Sequence, residues 1–298
     1  MEPEDSAEAL AVRSAAGDPE AIFILALSLL NASGAAQDLP GAHAALLRAG
    51  DMGYTPAARV HAHLVAAGIG VSADEAKALQ LLRQIADRDA HAAAQLAMLN
   101  HVAEPVSFRR HILHQSPDVI LVEGLLAPDE CKYLISVAAP RVQPAMVDNN
   151  APGGGRRDPH RTSYDSSFGP GDEDLVFQRI NRRIARETGT GYDCGEPMHI
   201  LRYTPGQEYR PHMDTIAGAS NQRVWTALVY LSDGYQGGET DFPHLNVGIE
   251  GAPGDAVLFR SVDAGGRPDP RTQHAGLPVT AGTKWLASRL IRQSRYVP

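Results

Sequence analysis

Two neighbouring runs decide the fold: Glu208-Tyr209-Arg210-Pro211-His212-Met213-Asp214, then Arg223-Val224-Trp225-Thr226-Ala227-Leu228-Val229-Tyr230-Leu231. The second is a β-branched and aromatic run of strand length, closed by the turn residues Ser232-Asp233-Gly234. In the first, Pro211 suits a strand start or edge. Side chains two apart on an extended strand share a face, so His212 and Asp214 aim the same way. Downstream come Gly237-Gly238-Glu239-Thr240-Asp241-Phe242-Pro243, Gly254-Asp255-Ala256-Val257-Leu258-Phe259 and Lys284-Trp285-Leu286-Ala287-Ser288-Arg289-Leu290-Ile291. Short strands punctuated by glycine and proline, with no long amphipathic helix between them, predict a double-sheet jelly roll.

His274 follows His212 by 62 residues, and Lys284 stands ten beyond it. Two imidazoles and one carboxylate make the facial triad that holds Fe(II) and leaves coordination positions open for a bidentate cosubstrate and dioxygen. The pair alone says little. With 12 histidines and 21 aspartates in 298 residues, about one His-x-Asp arises by chance, and the bland alternative is a surface histidine beside a carboxylate. The weight comes from the strands around it.

From about Asp118 to Arg292 the chain resembles the catalytic domain of the prolyl 4-hydroxylase-type Fe(II)/2-oxoglutarate dioxygenases. The resemblance is carried by Leu201-Arg202-Tyr203, by Gly206-Gln207-Glu208-Tyr209 leading into His212 and Asp214, and by the run from Gly237. Gly254-Asp255-Ala256-Val257 and His274 followed by Pro278-Val279 and Lys284-Trp285 complete it. It implies that His212, Asp214 and His274 ligate iron and are the catalytic centre. It implies that Lys284 meets the far carboxylate of 2-oxoglutarate, with the hydroxyls of Tyr203 and Thr240 as further contacts. Only 3 of the 27 basic residues are lysine (Lys77, Lys132, Lys284), so this one is no compositional default. The implied reaction hydroxylates an unactivated C–H with dioxygen while 2-oxoglutarate becomes succinate and carbon dioxide, with ascorbate as a reductant for stalled iron.

The resemblance implies a prolyl residue of a peptide or protein as substrate. Arg161, in Arg161-Thr162-Ser163, resembles part of a substrate-covering loop, and Arg223 matches an arginine near the substrate. The last strand departs from the pattern: Leu290 and Arg292 stand where many peptidyl-proline enzymes have tryptophan and histidine. That removes an aromatic wall and adds a cation able to meet a carboxylate. A free amino acid or small acid therefore stands as an alternative substrate. A catalytically dead scaffold with a protein-binding helical region is the alternative from another class.

Residues 1–104 are alanine- and leucine-rich and self-similar. Ala21 and Ala26 recur as Ala57 and Ala62 and then as Ala92 and Ala97, and Leu46-Leu47-Arg48 recurs as Leu81-Leu82-Arg83. Asp18-Pro19 places a cap before an N1 proline, and Ser72 with Glu75 reads as a capping box. Periods near 35 resemble tetratricopeptide-like helix pairs, too few to fold alone, so the array is expected to lean on the rest of the chain. The expected class is α+β multidomain: an α-helical repeat region over 1–104, then a double-stranded β-helix (jelly-roll) oxygenase domain over 105–298.

Composition narrows the partners. The net charge is −8; residues 1–104 carry 13 acids and 6 bases, and the remainder carries 22 and 21. That argues against broad nucleic-acid binding. The apolar run Ala21–Leu27 is too short to span a bilayer, and the acidic start, Glu2 to Asp5, is the wrong flank for a signal peptide. Two cysteines, Cys131 and Cys194, form no disulfide framework or zinc spacing and suit a reducing, cytoplasmic setting. Between the regions, His101 to Ser116 reads as a mixed connector, Val119-Ile120-Leu121-Val122 as the first strand, and Pro128-Asp129-Glu130 as a helix start. The glycine- and proline-rich stretch Asp148 to Asp174 reads as a mobile lid.

Overall fold

The computed structural model describes residues 7–32, 36–102, 107–146 and 160–296. Its elements form two compact units, one of residues 1–101 with 169–178, the other of 102–168 with 179–297.

The first unit holds helices α1 (Ala7–Ala15), α2 (Pro19–Asn31), α3 (Leu39–Asp51), α4 (Thr55–Ala67), α5 (Glu75–Ile85) and α6 (Ala90–His101). Asp18 caps α2 ahead of Pro19, accepting from the amides of Glu20 and Ala21, as the sequence predicts. For α5 the cap is Asp74, which accepts from Lys77 N, and not Ser72. The helix starts at Glu75, so the residue just ahead of it faces the open amides. The repeating alanines Ala21, Ala57 and Ala92 fall on α2, α4 and α6, all fully buried. The leucine repeat is one residue out of phase: Leu46 and Leu82 are the buried pair, because α3 and α5 begin 36 residues apart. Ala97 is exposed, so the third copy of the alanine pattern is incomplete.

A later stretch of chain completes this unit. Leu175 packs into the cluster of Ala62, Val65, Ala78 and Leu82. Gln178 Nε2 donates to His63 O at 2.9 Å. Asp174, fully buried, accepts from Val176 N and Phe177 N and lies 3.3 Å from His91 Nε2.

The second unit carries β1 (Arg109–Gln115), β2 (Asp118–Glu123), α7 (Pro128–Ala138), β3 (Gln143–Pro144), β4 (Tyr164–Phe168) and most of α8 (Leu175–Thr188). Then follow β5 (Met198–Tyr203), β6 (Tyr209–His212), β7 (Arg223–Tyr230), β8 (Gln236–Gly237), β9 (Thr240–Phe242), β10 (Val247–Ile249), β11 (Ala256–Arg260), β12 (His274–Gly276), β13 (Val279–Ala281) and β14 (Lys284–Arg292). An eight-stranded antiparallel sheet, β1-β2-β11-β7-β14-β5-β4-β3, stands with a four-stranded sheet, β10-β9-β12-β6, and a small β13-β8 ribbon. This is the expected double-sheet jelly roll. Its core is Val119, Leu201, Leu228, Tyr230, Phe242, Val257, Phe259 and Leu286 with their neighbours.

Two expectations need correction. The first strand is β1, out of the stretch read as connector; Val119–Val122 lies in β2. The sequence reading also left out α8, whose Arg183 is 2% exposed and donates twice to Glu130 at 3.0 Å and to Leu125 O at 2.7 Å. Of the stretch read as a mobile lid, 148–159 lies outside the described residues, whereas 160–174 holds β4 of the large sheet and the start of the segment that joins the helical unit.

Candidate active site

Strand pairing alone brings the three candidate ligands together. β6 and β12 run antiparallel with His212 directly opposite His274, ring centroids 4.3 Å apart. Asp214 follows β6 by two residues. Its two oxygens divide between the imidazoles: Oδ1 is 3.7 Å from His212 Nε2, and Oδ2 is 3.7 Å from His274 Nε2. The ligand atoms all lie within 4.8 Å of one another, the one such cluster of three among the described residues.

The donor set fits a divalent cation. His212 Nδ1 lies 2.8 Å from Arg210 O and His274 Nδ1 lies 3.1 Å from Thr272 O. A carbonyl oxygen only accepts, so each Nδ1 carries the proton and each Nε2 keeps its lone pair toward Asp214. Burial, and then the charge of His274, pushes His212 down to about 3, so it is neutral and able to ligate at ordinary pH. For Asp214 burial works upward, but the two histidines and the Thr226 hydroxyl outweigh it and hold the carboxyl below its usual range. Neighbouring rings fix the imidazoles: Tyr209 stacks on His212 at 3.5 Å and 13°, and Phe259 meets His274 edge-on at 4.7 Å.

A cavity of about 320 Å³ adjoins this centre. Three adjacent strands of the large sheet line it with alternate residues: His199, Leu201 and Tyr203 from β5, Thr226 and Leu228 from β7, and Lys284, Leu286, Ser288 and Leu290 from β14. Period-two alternation is the reason one face supplies them all.

Lys284 is 2% exposed and donates to Gly238 O at 2.6 Å. Gly238 sits at φ +75°, where a side chain is strained; an added Cβ would come within 3.0 Å of Val279. The lysine Nζ lies 5.1 Å from the ring centre of Tyr230 and 5.9 Å from those of Tyr203 and Tyr235. Burial pushes its pKa down to about 8. It forms no ion pair among the described residues. A buried ammonium with one carbonyl partner and an aromatic cage is a seat for a carboxylate. Thr240 lines the same cavity and accepts from Tyr230 OH at 2.8 Å, which leaves its own proton to donate. Tyr203 is buried, which raises its pKa, and its hydroxyl is bonded to Ser163.

The arginines separate. Arg161 lines the cavity over the Tyr209 ring at 5.3 Å and donates to Asp165 Oδ2 at 3.1 Å, an oxygen also 3.2 Å from His199 Nδ1. Arg223 lines it too, donating Nε and Nη2 to Glu196 at 2.6 and 2.9 Å, and Nη1 to Asp214 O at 3.2 Å. Arg292 is not brought to the cavity. Its Nε lies 2.5 Å from Glu196 Oε1, and its Nη1 donates to Asn221 O. The carboxylate it meets is therefore the protein's own, which corrects its reading as a substrate-facing cation. Sequence reasoning missed Glu196, Thr226 and His199. His199 alone had a local signal, sitting at even spacing from Tyr203 on one strand face.

The 2OG-Fe(II) oxygenase superfamily profile matches residues 198–292. Prolyl 4-hydroxylase 1 of Arabidopsis thaliana is 36% identical over 201 residues, spanning 61% of this chain and 71% of that protein. Probable prolyl 4-hydroxylase 3 of the same plant is 32% identical over 209 residues, spanning 62% and 72%. Among solved structures, the viral collagen prolyl hydroxylase of Paramecium Bursaria Chlorella virus-1 in its 2OG complex is 29% identical, with TM-score 0.48, over 59% of this chain and 96% of that one. With the plant relatives matched over more than two thirds of their length, this chain belongs to the prolyl 4-hydroxylase group of the 2OG-Fe(II) oxygenase superfamily.

Proposed function

We propose that this chain hydroxylates a prolyl residue of a peptide or protein, with His212, Asp214 and His274 holding Fe(II) and Lys284 holding the far carboxylate of 2-oxoglutarate. The observation that supports it is the shared cavity: the triad and a buried, unpaired ammonium line the same 320 Å³ space. When bound, the iron and its cosubstrate supply dioxygen activation, the chemistry no side chain here provides. The residues of the chain position and exclude. Thr226 orients Asp214, and the backbone carbonyls of Arg210 and Thr272 keep both Nε2 atoms as lone-pair donors. Thr240 and Tyr203 flank Lys284 and add hydroxyls to the carboxylate seat. The apolar side chains Leu201, Leu228, Leu286 and Leu290 keep water from the reacting end. Ascorbate belongs to the same proposal as the reductant for uncoupled turnover.

A peptidyl substrate is favoured over a small acid because both Arg223 and Arg292 are already committed to Glu196. Arg161 and Tyr209 at the cavity are then the groups to meet a peptide backbone and a pyrrolidine ring.

The test begins with anaerobic Fe(II) and 2-oxoglutarate titration, where a metal-to-ligand charge-transfer band is expected and its absence would support the dead-scaffold alternative. A succinate-release screen of proline-containing peptides against free amino acids follows, with mass spectrometry for a one-oxygen gain. Turnover confined to free amino acids would overturn the peptidyl assignment. Full succinate production by Asp214→Ala would overturn the site.

A further inference from the structure

The segment beyond β14 is tied to the loop that follows Asp214. Gln293 N donates to Gln222 O at 2.8 Å, and Gln293 Nε2 to Ser220 O at 2.8 Å. Asn221 answers in both directions: its Nδ2 donates to Ser294 O and Arg295 O, and its Oδ1 accepts from Ser294 N. Gln222 closes the loop internally, accepting from Ile216 N and Arg223 N through Oε1 and donating to Ile216 O. Residues 214–223 are thus held at their far end by residues 292–295, with Asp214 at their near end.

Arg292 joins the two ends. Its Nη1 donates to Asn221 O at 2.8 Å, within the tied loop. Its Nε sits against Glu196 Oε1 at 2.5 Å with the N–H off the bond line, an ion pair more than a directed hydrogen bond. Glu196 is 8% exposed, and it accepts both Nε and Nη2 of Arg223. That grip turns the third arginine nitrogen, Nη1, onto Asp214 O at 3.2 Å. A single buried carboxylate held from two sides by guanidinium groups cannot rotate without losing charge-assisted bonds on one of them.

We infer that Arg292 is a positioning residue for the carboxylate of the metal triad, acting through Glu196 and Arg223 on Asp214 and through Asn221 on the loop behind it. The inference rests on the proposed metal site. It assigns Arg292 no contact with substrate. Loss of the Arg292 cation leaves Glu196 held from one side only, by Arg223, so that the Glu196–Arg223 pair can shift together and the Asp214 backbone can drift from the geometry set by β6 and β12.

The test is Mn(II) affinity, measured by electron paramagnetic resonance on the full-length protein without turnover, for wild type, Arg292→Gln and Arg292→Lys. Circular dichroism confirms that each variant is folded. Arg292→Gln is expected to bind Mn(II) about tenfold more weakly, in the range seen when groups behind a metal ligand are removed. Arg292→Lys, which keeps a cation against Glu196, is expected to recover at least half of that loss on a logarithmic scale. Glu196→Gln, which weakens both arginine contacts, should be no better than Arg292→Gln. Wild-type Mn(II) affinity in Arg292→Gln would overturn the inference, above all if its Michaelis constant for a peptide rose, since that marks a substrate contact instead. Failure of the wild type itself to bind Mn(II) would strike the metal site and not this inference alone.

Discussion

Thr226 donates its hydroxyl to Asp214 Oδ2 at 2.6 Å, from a strand of the large sheet to a residue just past a strand of the small one. That one bond selects which carboxylate oxygen faces His274. Thr226→Val keeps the shape and removes the donor, leaving a buried carboxylate oxygen short of a partner. Mn(II) affinity is expected to fall 10- to 100-fold, within the range for residues that orient metal ligands, whereas Thr226→Ser should stay near wild type. Equal affinities for Val and Ser would show the hydroxyl to be idle.

On the proposed role of Lys284, cosubstrate affinity should depend on pH. Burial lowers its pKa to about 8 from 10.5, so the folded protein without cosubstrate loses the cation as pH rises through 8. The apparent dissociation constant for 2-oxoglutarate should therefore climb by up to about tenfold per pH unit above 8, read by titration of the charge-transfer band. The same shift says that holding the ammonium buried at pH 7 costs on the order of 3 kcal/mol, with relief only between pH 8 and 10.5. Lys284→Met is expected to raise the melting temperature of the cosubstrate-free protein at pH 7 while abolishing 2-oxoglutarate binding. A lower melting temperature with binding intact would contradict both halves.

The helical unit should be acid-labile. His63 is 2% exposed and burial pushes it down to about 4, below its unfolded value of 6.5. The neutral form is the one that folds, so its contribution is present above pH 6.5 and is lost as pH falls from 6.5 toward 4. Helicity followed by circular dichroism should decline in that window, and His63→Gln should flatten the decline. An unchanged acid profile in His63→Gln would assign the lability elsewhere.

Arg183 and Glu130 form a buried pair with two 3.0 Å contacts. Removing one partner strands a charge in the core, so Arg183→Met should destabilise the protein by about 3–5 kcal/mol in urea unfolding. Replacing both at once (Arg183→Met with Glu130→Leu) should cost less than that single change. Additive losses would mean the two do not act as a pair.

How far the sequence could be read follows from the range of each interaction. His212 and Asp214 were legible as a pair because strand alternation puts them on one face, and His274 and Lys284 were picked out through the family resemblance; the structure brings all four to one cavity. Glu196 was not: it meets Arg223 from 27 residues away and Arg292 from further still, and no local pattern encodes such a pairing. β1 escaped notice because nearly all its residues are exposed, so it has no apolar alternation to read. In α8 the buried Arg183 sits among the residue types that ordinarily mark a solvated face. Ser72 and Asp74 differ only in which one adjoins the first helical residue, a one-position matter that the Ser-x-x-Glu pattern does not resolve.

The ten residues Gly169–Gln178, which leave β4, join the helical unit and then return as α8, also bear on how such a chain could be assembled or cut. A single break near residue 104 hands one fragment a core lacking Leu175 and the Gln178 amide, and hands the other a peptide whose natural surroundings are gone. The helices are therefore not a cassette that one recombination crossover could graft onto another oxygenase. A graft would have to carry residues 169–178 as well, and a hybrid library built on one junction should be populated mainly by chains that fail to fold.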